Sequence, residues 1–229
     1  MTGIIGAMKI EVDTIKNLME NKTAEVISGV EYVRGTLGGK EIVTAVCGIG
    51  KVAAAMCTQT MILKYSPDRI INTGVGGSLS TKLAIGDIAV AESLVQHDMD
   101  TSPLGDPVGL ISGINIINIP CDKKVVSDLL ECVESLDVKG LKGVIASGDQ
   151  FIASAEKKEK IVGNFGAIVC EMEGASIAQV CYTNGVPFGV VRAVSDCADG
   201  SSHMDYGEFL PLAAANAAKL IELFVSKQQ

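Results

Sequence analysis

The sequence predicts an α/β protein, a three-layer α/β/α sandwich around a central mixed β-sheet. Three observations predict it. Strand-like and helix-like segments alternate from one end of the chain to the other, the pattern of layered α/β architectures. Hydrophobic residues make up 48% of the chain but aromatics only 4%, and Trp is absent. The core must then be built from Val, Ile, Leu, Ala and Met, as in buried parallel strands covered by helices. No internal repeat, low-complexity tract or linker divides the 229 residues, a length suited to one large domain spanning 1–229.

Residues 2–8 form a short apolar run, and a helical pattern follows from about Ile10 to Met19. Residues 24–34 and 41–47 read as a β-hairpin, with Gly35, Gly38 and Gly39 marking its turn. Gly48-Ile49-Gly50-Lys51 opens an Ala-rich helix reaching about Tyr65. Ile70-Ile71-Asn72-Thr73-Gly74 reads as a buried strand that breaks into Val75-Gly76-Gly77. A further strand covers Gly86 to Gln96, and a Gly- and Pro-containing loop runs from His97 to about Gly113. Then come a helix over 122–134, strands over 142–147 and 167–171, and a helix over 173–184 stopped by Asn184-Gly185. Pro187 to Val194 is the last strand. The last helix, about 206–226, carries Phe209, Ala213, Asn216, Leu220 and Phe224 along one side at helical spacing.

Charge excludes several classes of function. The net charge is −8, and Arg34, Arg69 and Arg192 are the only arginines. No basic stripe exists to neutralise a phosphate backbone, so no nucleic acid is expected as a partner. An anionic membrane surface would repel the chain for the same reason. The longest apolar stretches fall short of the ~20 residues that span a bilayer, and no signal peptide is read at the N-terminus. The seven cysteines are scattered without a CxxC pair, which suits small buried hydrophobes in a reducing cytoplasm better than a disulfide frame or a zinc site.

Two glycine-rich segments invite a phosphate-loop reading and fail it. Gly48-Ile49-Gly50-Lys51 lacks the Walker spacing, with Val52 after the lysine, and Gly74-Val75-Gly76-Gly77 lacks the dinucleotide fingerprint. Close approach of the backbone to a ligand and simple turn geometry both remain open for these glycines. Three carboxylates are the better lead. Taken alone, Glu11 and Glu173 read as first-turn helix acids stabilised by the helix dipole, and Asp196 reads as an N-cap or a functional strand end. His97 and His203 have no metal-ligand spacing, so no metal is expected. Considered together, three acids beside apolar runs suit one pocket that moves protons, because unpaired buried acids are costly. Cleaving an N-glycosidic bond needs such a set: a carboxylate to activate water, an acid to protonate the departing base, and a grip on the sugar hydroxyls.

Six ordered motifs narrow the reading. They are Gly3-Ile4-Ile5-Gly6-Ala7-Met8 with Glu11, Gly48 to Ala53, Ile71-Asn72-Thr73-Gly74, Ser147-Gly148-Asp149-Gln150-Phe151-Ile152, Glu171-Met172-Glu173, and Arg192-Ala193-Val194-Ser195-Asp196. Together they closely resemble bacterial 5′-methylthioadenosine/S-adenosylhomocysteine nucleosidases, of the purine nucleoside phosphorylase-like superfamily, over essentially the whole chain. The resemblance implies a nucleoside phosphorylase-like sandwich, a homodimer, a cytoplasmic hydrolase and a link to methionine salvage, with no cofactor. It implies that Glu11 is the general base for water, and that Asp196, which must then hold a proton near neutral pH, is the general acid toward adenine N7. Glu173 would bind the ribose 2′- and 3′-hydroxyls and Met172 would lie against the ribose. Phe151 would stack on the purine, the Ile152 backbone would read the adenine edge, and Ser195 would support Asp196. Gly77 would line the sugar side, while Met8, Ile49 and Tyr206 complete the pocket, Tyr206 near the 5′ substituent. Thr101 and Leu104 would reach the partner subunit's 5′ pocket. Val75-Gly76 stands where the family more usually has Ser-Ala or Val-Ala, which leaves the ribose contacts there open.

Three rival readings make different demands on these residues. A purine nucleoside phosphorylase of the same fold would need cations for phosphate, yet no arginine occurs between Arg69 and Arg192 and Glu11 would repel a dianion. A nucleoside-binding module without turnover needs no proton-shuttling pair. A 6-amino-6-deoxyfutalosine nucleosidase would keep the chemistry and change the 5′ extension.

Overall fold

The computed structural model describes residues 1–198 and 202–227, with the side chains of 202–205 left aside. His203 therefore lies outside the described side chains.

The first strand, β1 (Thr2–Gly6), is buried along its whole length. Helix α1 (Lys9–Leu18) follows and turns Val12 and Ile15 inward. The expected hairpin is instead a meander of three strands, β2 (Glu20–Ile27), β3 (Val30–Leu37) and β4 (Lys40–Val46). Both turns are two residues long, Ser28-Gly29 (φ 52° and 81°) and Gly38-Gly39 (φ 56° and 77°). Positive φ at both central positions matches the twist of a tight hairpin. Gly35 marks no turn; it lies inside β3, where an added Cβ would meet the Glu20 carbonyl at 2.6 Å. The expected first strand, 24–34, spans the end of β2 and the start of β3; the boundary between them is not legible because β2 is an exposed edge with no buried face to impose a pattern.

Helix α2 (Lys51–Tyr65) leads to β5 (Arg69–Asn72), and Val75–Ser78, expected to be a break, is a strand of its own, β6. β7 (Ile88–Gln96) precedes the long loop, which holds one 3-10 turn at Ser102–Leu104. The short β8 (Ile119–Pro120), helix α3 (Lys123–Val133) and β9 (Gly140–Ser147) come next. Helix α4 (Ala155–Phe165) was not anticipated, because it buries only Ile161 and presents a mostly charged, solvated surface. β10 (Val169–Glu171), α5 (Gly174–Asn184), β11 (Phe188–Asp196) and α6 (Ser202–Lys227) complete the chain.

The strands form a mixed sheet in the order β2-β3-β4-β1-β5-β11-β6-β10-β9-β7-β8. β11 organises it. Phe188–Val190 pair with β5, Val191–Ala193 pair antiparallel with β7, and Ala193–Asp196 pair with β6. The β7–β11 pairing closes the second half of the sheet into a ring of β11, β6, β10, β9 and β7. Helices α1 and α3 pack with α6, and α2 packs with α5, so two helical layers enclose the sheet. Over Tyr206–Lys227, α6 is long and apolar enough to cross a membrane by length and composition. That corrects the expectation that no stretch approaches that size. In the fold its Ala213, Ala217, Leu220, Ile221 and Phe224 are buried in the main core.

Candidate active site

The carboxyl ends of β10 and β11 and the start of α1 meet around a cleft that is open to solvent on one side. The cleft lies where ligands bind in open α/β sheets, beyond the carboxyl ends of strands. Every expected pocket residue lines it: Met8, Glu11, Ile49, Gly77, Phe151, Ile152, Met172, Glu173, Ser195, Asp196 and Tyr206. Thr101 and Leu104 do not. Leu104 is 83% exposed, and Thr101 Oγ1 donates to Asp106 Oδ2 at 2.8 Å within the loop.

Glu11 sits in the first turn of α1 rather than at a strand end. Its Oε2 accepts from the Ala7 and Met8 amides at 2.8 and 2.9 Å, and its Oε1 accepts from Val75 N at 3.1 Å. The helix-capping reading is therefore true as well as the cavity reading. Gly74 is obligatory here, since a Cβ would meet Glu11 Oε1 at 2.6 Å. Burial pushes the Glu11 carboxyl above the ordinary carboxylate range, while Arg192 and the three amides pull against it.

Glu173 is the N-cap residue of α5 but its carboxylate makes no capping bond; instead its Oε1 accepts from Gly50 N at 2.7 Å. One amide of the first glycine-rich loop is thus directed at a carboxylate, not at an empty anion site. Burial and the neighbouring Glu171 push Glu173 from 4.5 up to about 7, against the pull of Arg192 and the Gly50 amide. Asp196 ends β11 and is 2% exposed. Its Oδ2 accepts from Ser195 Oγ at 3.0 Å and its Oδ1 from Ala198 N at 2.8 Å. A register shift between Val194 and Asp196 aims it across Gly77, where a Cβ would meet Asp196 Oδ1 at 2.9 Å.

The aromatic wall is Phe151 and Tyr206, in edge-to-face contact with centroids 5.6 Å apart. Phe151 is 48% exposed. Tyr206 donates its hydroxyl to Met8 Sδ at 3.3 Å. Burial pushes the Tyr206 phenol up, and Glu11, Glu173 and Asp196 all add to that push. Glu11, Glu173, Asp196 and Tyr206 all line the same cleft.

A buried ion pair behind the cleft was missed from sequence. Arg192 Nη2 donates to Glu171 Oε2 and to Asn72 Oδ1 (2.5 Å), and Nη1 donates to Val191 O at 2.8 Å. Glu171 also accepts from Ser147 Oγ and from the Glu173 and Gly174 amides at 3.0 and 2.7 Å. The signal was present: Arg192 is a lone cation inside an otherwise apolar strand, which must be paired to be buried. Among the described lining residues there is no Lys, Arg or His, but there are four carboxylates. Among the described residues no cluster of three or more His, Cys, Asp or Glu could hold a metal ion.

Residues 2–226 match the profile of the Phosphorylase superfamily. The chain is 41% identical to the 5′-methylthioadenosine/S-adenosylhomocysteine nucleosidase of Shewanella halifaxensis, over 96% of each chain. It superposes on the Neisseria meningitidis nucleosidase of that name, solved with methylthio-immucillin-A, with a TM-score of 0.96 at 34% identity, covering 99% of both chains. It is equally similar in shape to the futalosine hydrolase of Helicobacter pylori, with a TM-score of 0.95 at 38% identity, covering 99% of this chain and 97% of that one.

Proposed function

From a chain that belongs to the phosphorylase superfamily, within its 5′-methylthioadenosine/S-adenosylhomocysteine nucleosidases, we propose the reaction and the residue roles that follow. The enzyme hydrolyses the N-glycosidic bond of 5′-methylthioadenosine and S-adenosylhomocysteine. It releases adenine with the corresponding thioribose or ribosylhomocysteine. All of this belongs to one nucleosidase domain covering residues 1–229.

Glu11 accepts a proton from water as the water oxygen bonds to the anomeric carbon. Its burial-raised proton affinity makes it a stronger base than a surface carboxylate, and Arg192 with three amides supports its ionised form. The electron pair of the breaking C–N bond passes to the purine, and Asp196 supplies the proton that N7 takes. Ser195 Oγ and the Ala198 amide hold the Asp196 carboxyl in place for that transfer. Glu173 takes the ribose hydroxyls and, with Glu11, meets the positive charge that develops on the sugar ring. Phe151 offers its half-exposed face to the purine. The proton gained by Glu11 and the one lost by Asp196 exchange with solvent, so the sum is addition of one water.

Four carboxylates and no cation among the described lining residues carry the choice of water over phosphate. Phosphorolysis needs charge-assisted donors for a dianion, and Arg192 is spoken for by Glu171 and Asn72. The test is adenine release from methylthioadenosine with and without phosphate. Equal rates and a free reducing sugar support hydrolysis; strict phosphate dependence or a sugar 1-phosphate overturns it. The similarity to a futalosine hydrolase favours one further reading, in which 6-amino-6-deoxyfutalosine is also a substrate, with the same base and ribose and a different 5′ extension.

The same reading includes a cytoplasmic homodimer that serves methionine salvage. Six buried cysteines, Cys47, Cys57, Cys121, Cys132, Cys170 and Cys181, stand in no disulfide, in keeping with a reducing compartment. Beside the cleft, Ile49 (60% exposed) continues into Val52, Met56 and Leu63 of α2, at 72%, 53% and 74%. An apolar strip of this kind suits a subunit interface. Across it the partner loop near Thr101 and Leu104 would cover the 5′ pocket.

A further inference from the structure

Outside the cleft lining, four distant segments meet at one ion pair. Lys51, the first residue of α2, donates from Nζ to Asp98 Oδ1 at 2.7 Å and to Gln96 Oε1 at 3.2 Å. Its amide donates to Asp149 Oδ1 at 2.8 Å, and its carbonyl accepts from Ser176 Oγ at 2.6 Å. Asp98 Oδ2 accepts from the Asp149 amide at 2.9 Å. Gln96 Nε2 donates in turn to Gln179 Oε1 at 2.7 Å, reaching α5. The N-cap residue of α2 is Gly50, which has no side chain to satisfy the first helix amides. Asp149 does so instead, from 98 residues away.

The two loops joined here are the ones that bear the cleft walls. One holds Ile49 and the Gly50 amide that bonds Glu173; the other runs directly into Phe151 and Ile152. The side chains of Lys51 and Asp98 are only 20% and 15% exposed, so their bond is partly shielded from water. Burial pushes the Asp98 carboxyl up, but Lys51 and the Asp149 amide outweigh it and hold the group below its ordinary range. The Asp98 carboxyl therefore stays ionised at neutral pH.

We propose that Asp98, acting through Lys51 and Asp149, is a positioning residue for nucleoside binding, a clasp that sets the Gly48–Lys51 and Gly148–Ile152 loops against Glu173. The proposal rests on the nucleosidase reading and adds a residue that touches no substrate. Its signature is a change in KM with little change in kcat, because the base and acid of the reaction lie on other segments.

The experiment compares D98A, D98N and K51M with the wild type in methylthioadenosine hydrolysis, with melting curves for each. D98A raises KM about tenfold, the factor that one charge-assisted hydrogen bond corresponds to, while kcat moves by less than about threefold. D98N keeps an acceptor for the Asp149 amide and recovers part of the KM. The D98A/K51M double variant is no worse than D98A by more than about twofold, since both break one unit. Should D98A not fold, K51M and D98N carry the test. A KM within about twofold of wild type in folded D98A or K51M, or additive effects in the double variant, overturns the clasp. Adenine affinity measured by calorimetry in the same proteins reads the clasp without turnover. Wild-type adenine release reports separately on the nucleosidase reading.

Discussion

Replacing Arg192 with methionine keeps most of the side-chain volume and removes a cation that Glu171, Glu173 and Glu11 all face. In the native fold, Arg192 and Glu171 are 2% and 1% exposed at their side chains, so neither charge has recourse to water. Losing one partner leaves Glu171 buried with an unmatched charge, at a cost of about 3–5 kcal/mol. The bond from Arg192 to Asn72 is lost with it. For a chain of this size each kcal/mol moves the melting point by about 2–4 °C, so a fall of roughly 6–20 °C is expected. Net stability of native proteins is about 5–15 kcal/mol, which leaves room for the variant to fold at 25 °C. A second readout follows from the field of the cation. Arg192 lowers the proton affinity of Glu11 and Glu173, so both hold protons to higher pH without it. The acid limb of the kcat/KM profile then moves to higher pH, because a protonated Glu11 cannot accept a proton from water. Urea titration with melting curves measures the first effect, and a pH–rate series the second. A stability loss below about 1 kcal/mol, the scale of exposed pairs, or an unmoved acid limb would refute the reasoning.

Glu173 gives stability its own pH dependence: its proton is bound more tightly in the folded chain, since burial and Glu171 raise it from 4.5 to about 7. That contribution is full below the unfolded value and is lost as pH rises through about 7. Urea midpoints of wild type relative to E173Q should fall between about pH 5 and 7, and a flat difference would contradict the assignment. Removing the stacking face with F151A should raise KM about tenfold, in line with the worth of base–aromatic stacking, with melting temperature nearly unchanged because the ring is 48% exposed. V52D places a charge in the apolar strip of α2 and should convert a sedimenting dimer into a monomer with weaker substrate binding. A wild type that sediments as a fully active monomer would end the dimer proposal.

Strands buried on both faces were legible in sequence because their apolar runs are continuous. β1, β5 and β11 needed no tertiary information beyond that. What failed were elements whose reason lies elsewhere in the chain. Val75–Ser78 has the composition of a break, and it is a strand because β11 and β10 flank it on either side. α4 shows almost no apolar stripe, since Ile161 alone is buried. The ring closure between β7 and β11 joins residues about a hundred positions apart, and no local pattern encodes it. In the site, Glu11, Glu173 and Asp196 were picked out as acids beside apolar runs, but only the resemblance of six motifs gave them separate roles. Arg192 and Glu171 lie inside those motifs, and an arginine within Val190 to Val194 has no inexpensive way to be buried unpaired. From sequence, Lys51 stands out only as a lysine that does not fit the Walker spacing. Its actual partners, Asp98 and Gln96, are brought to it by β7 and the loop that follows.

The central claim is that acids from three separate segments work on one bound nucleoside, and paired turnover and binding measurements on E11Q and D196N test it most directly. Each variant should lose at least about a hundredfold in kcat, the usual reach of positioned acid–base groups, while still binding methylthioadenosine and melting near the wild type. Turnover within about tenfold of wild type in either folded variant would contradict it.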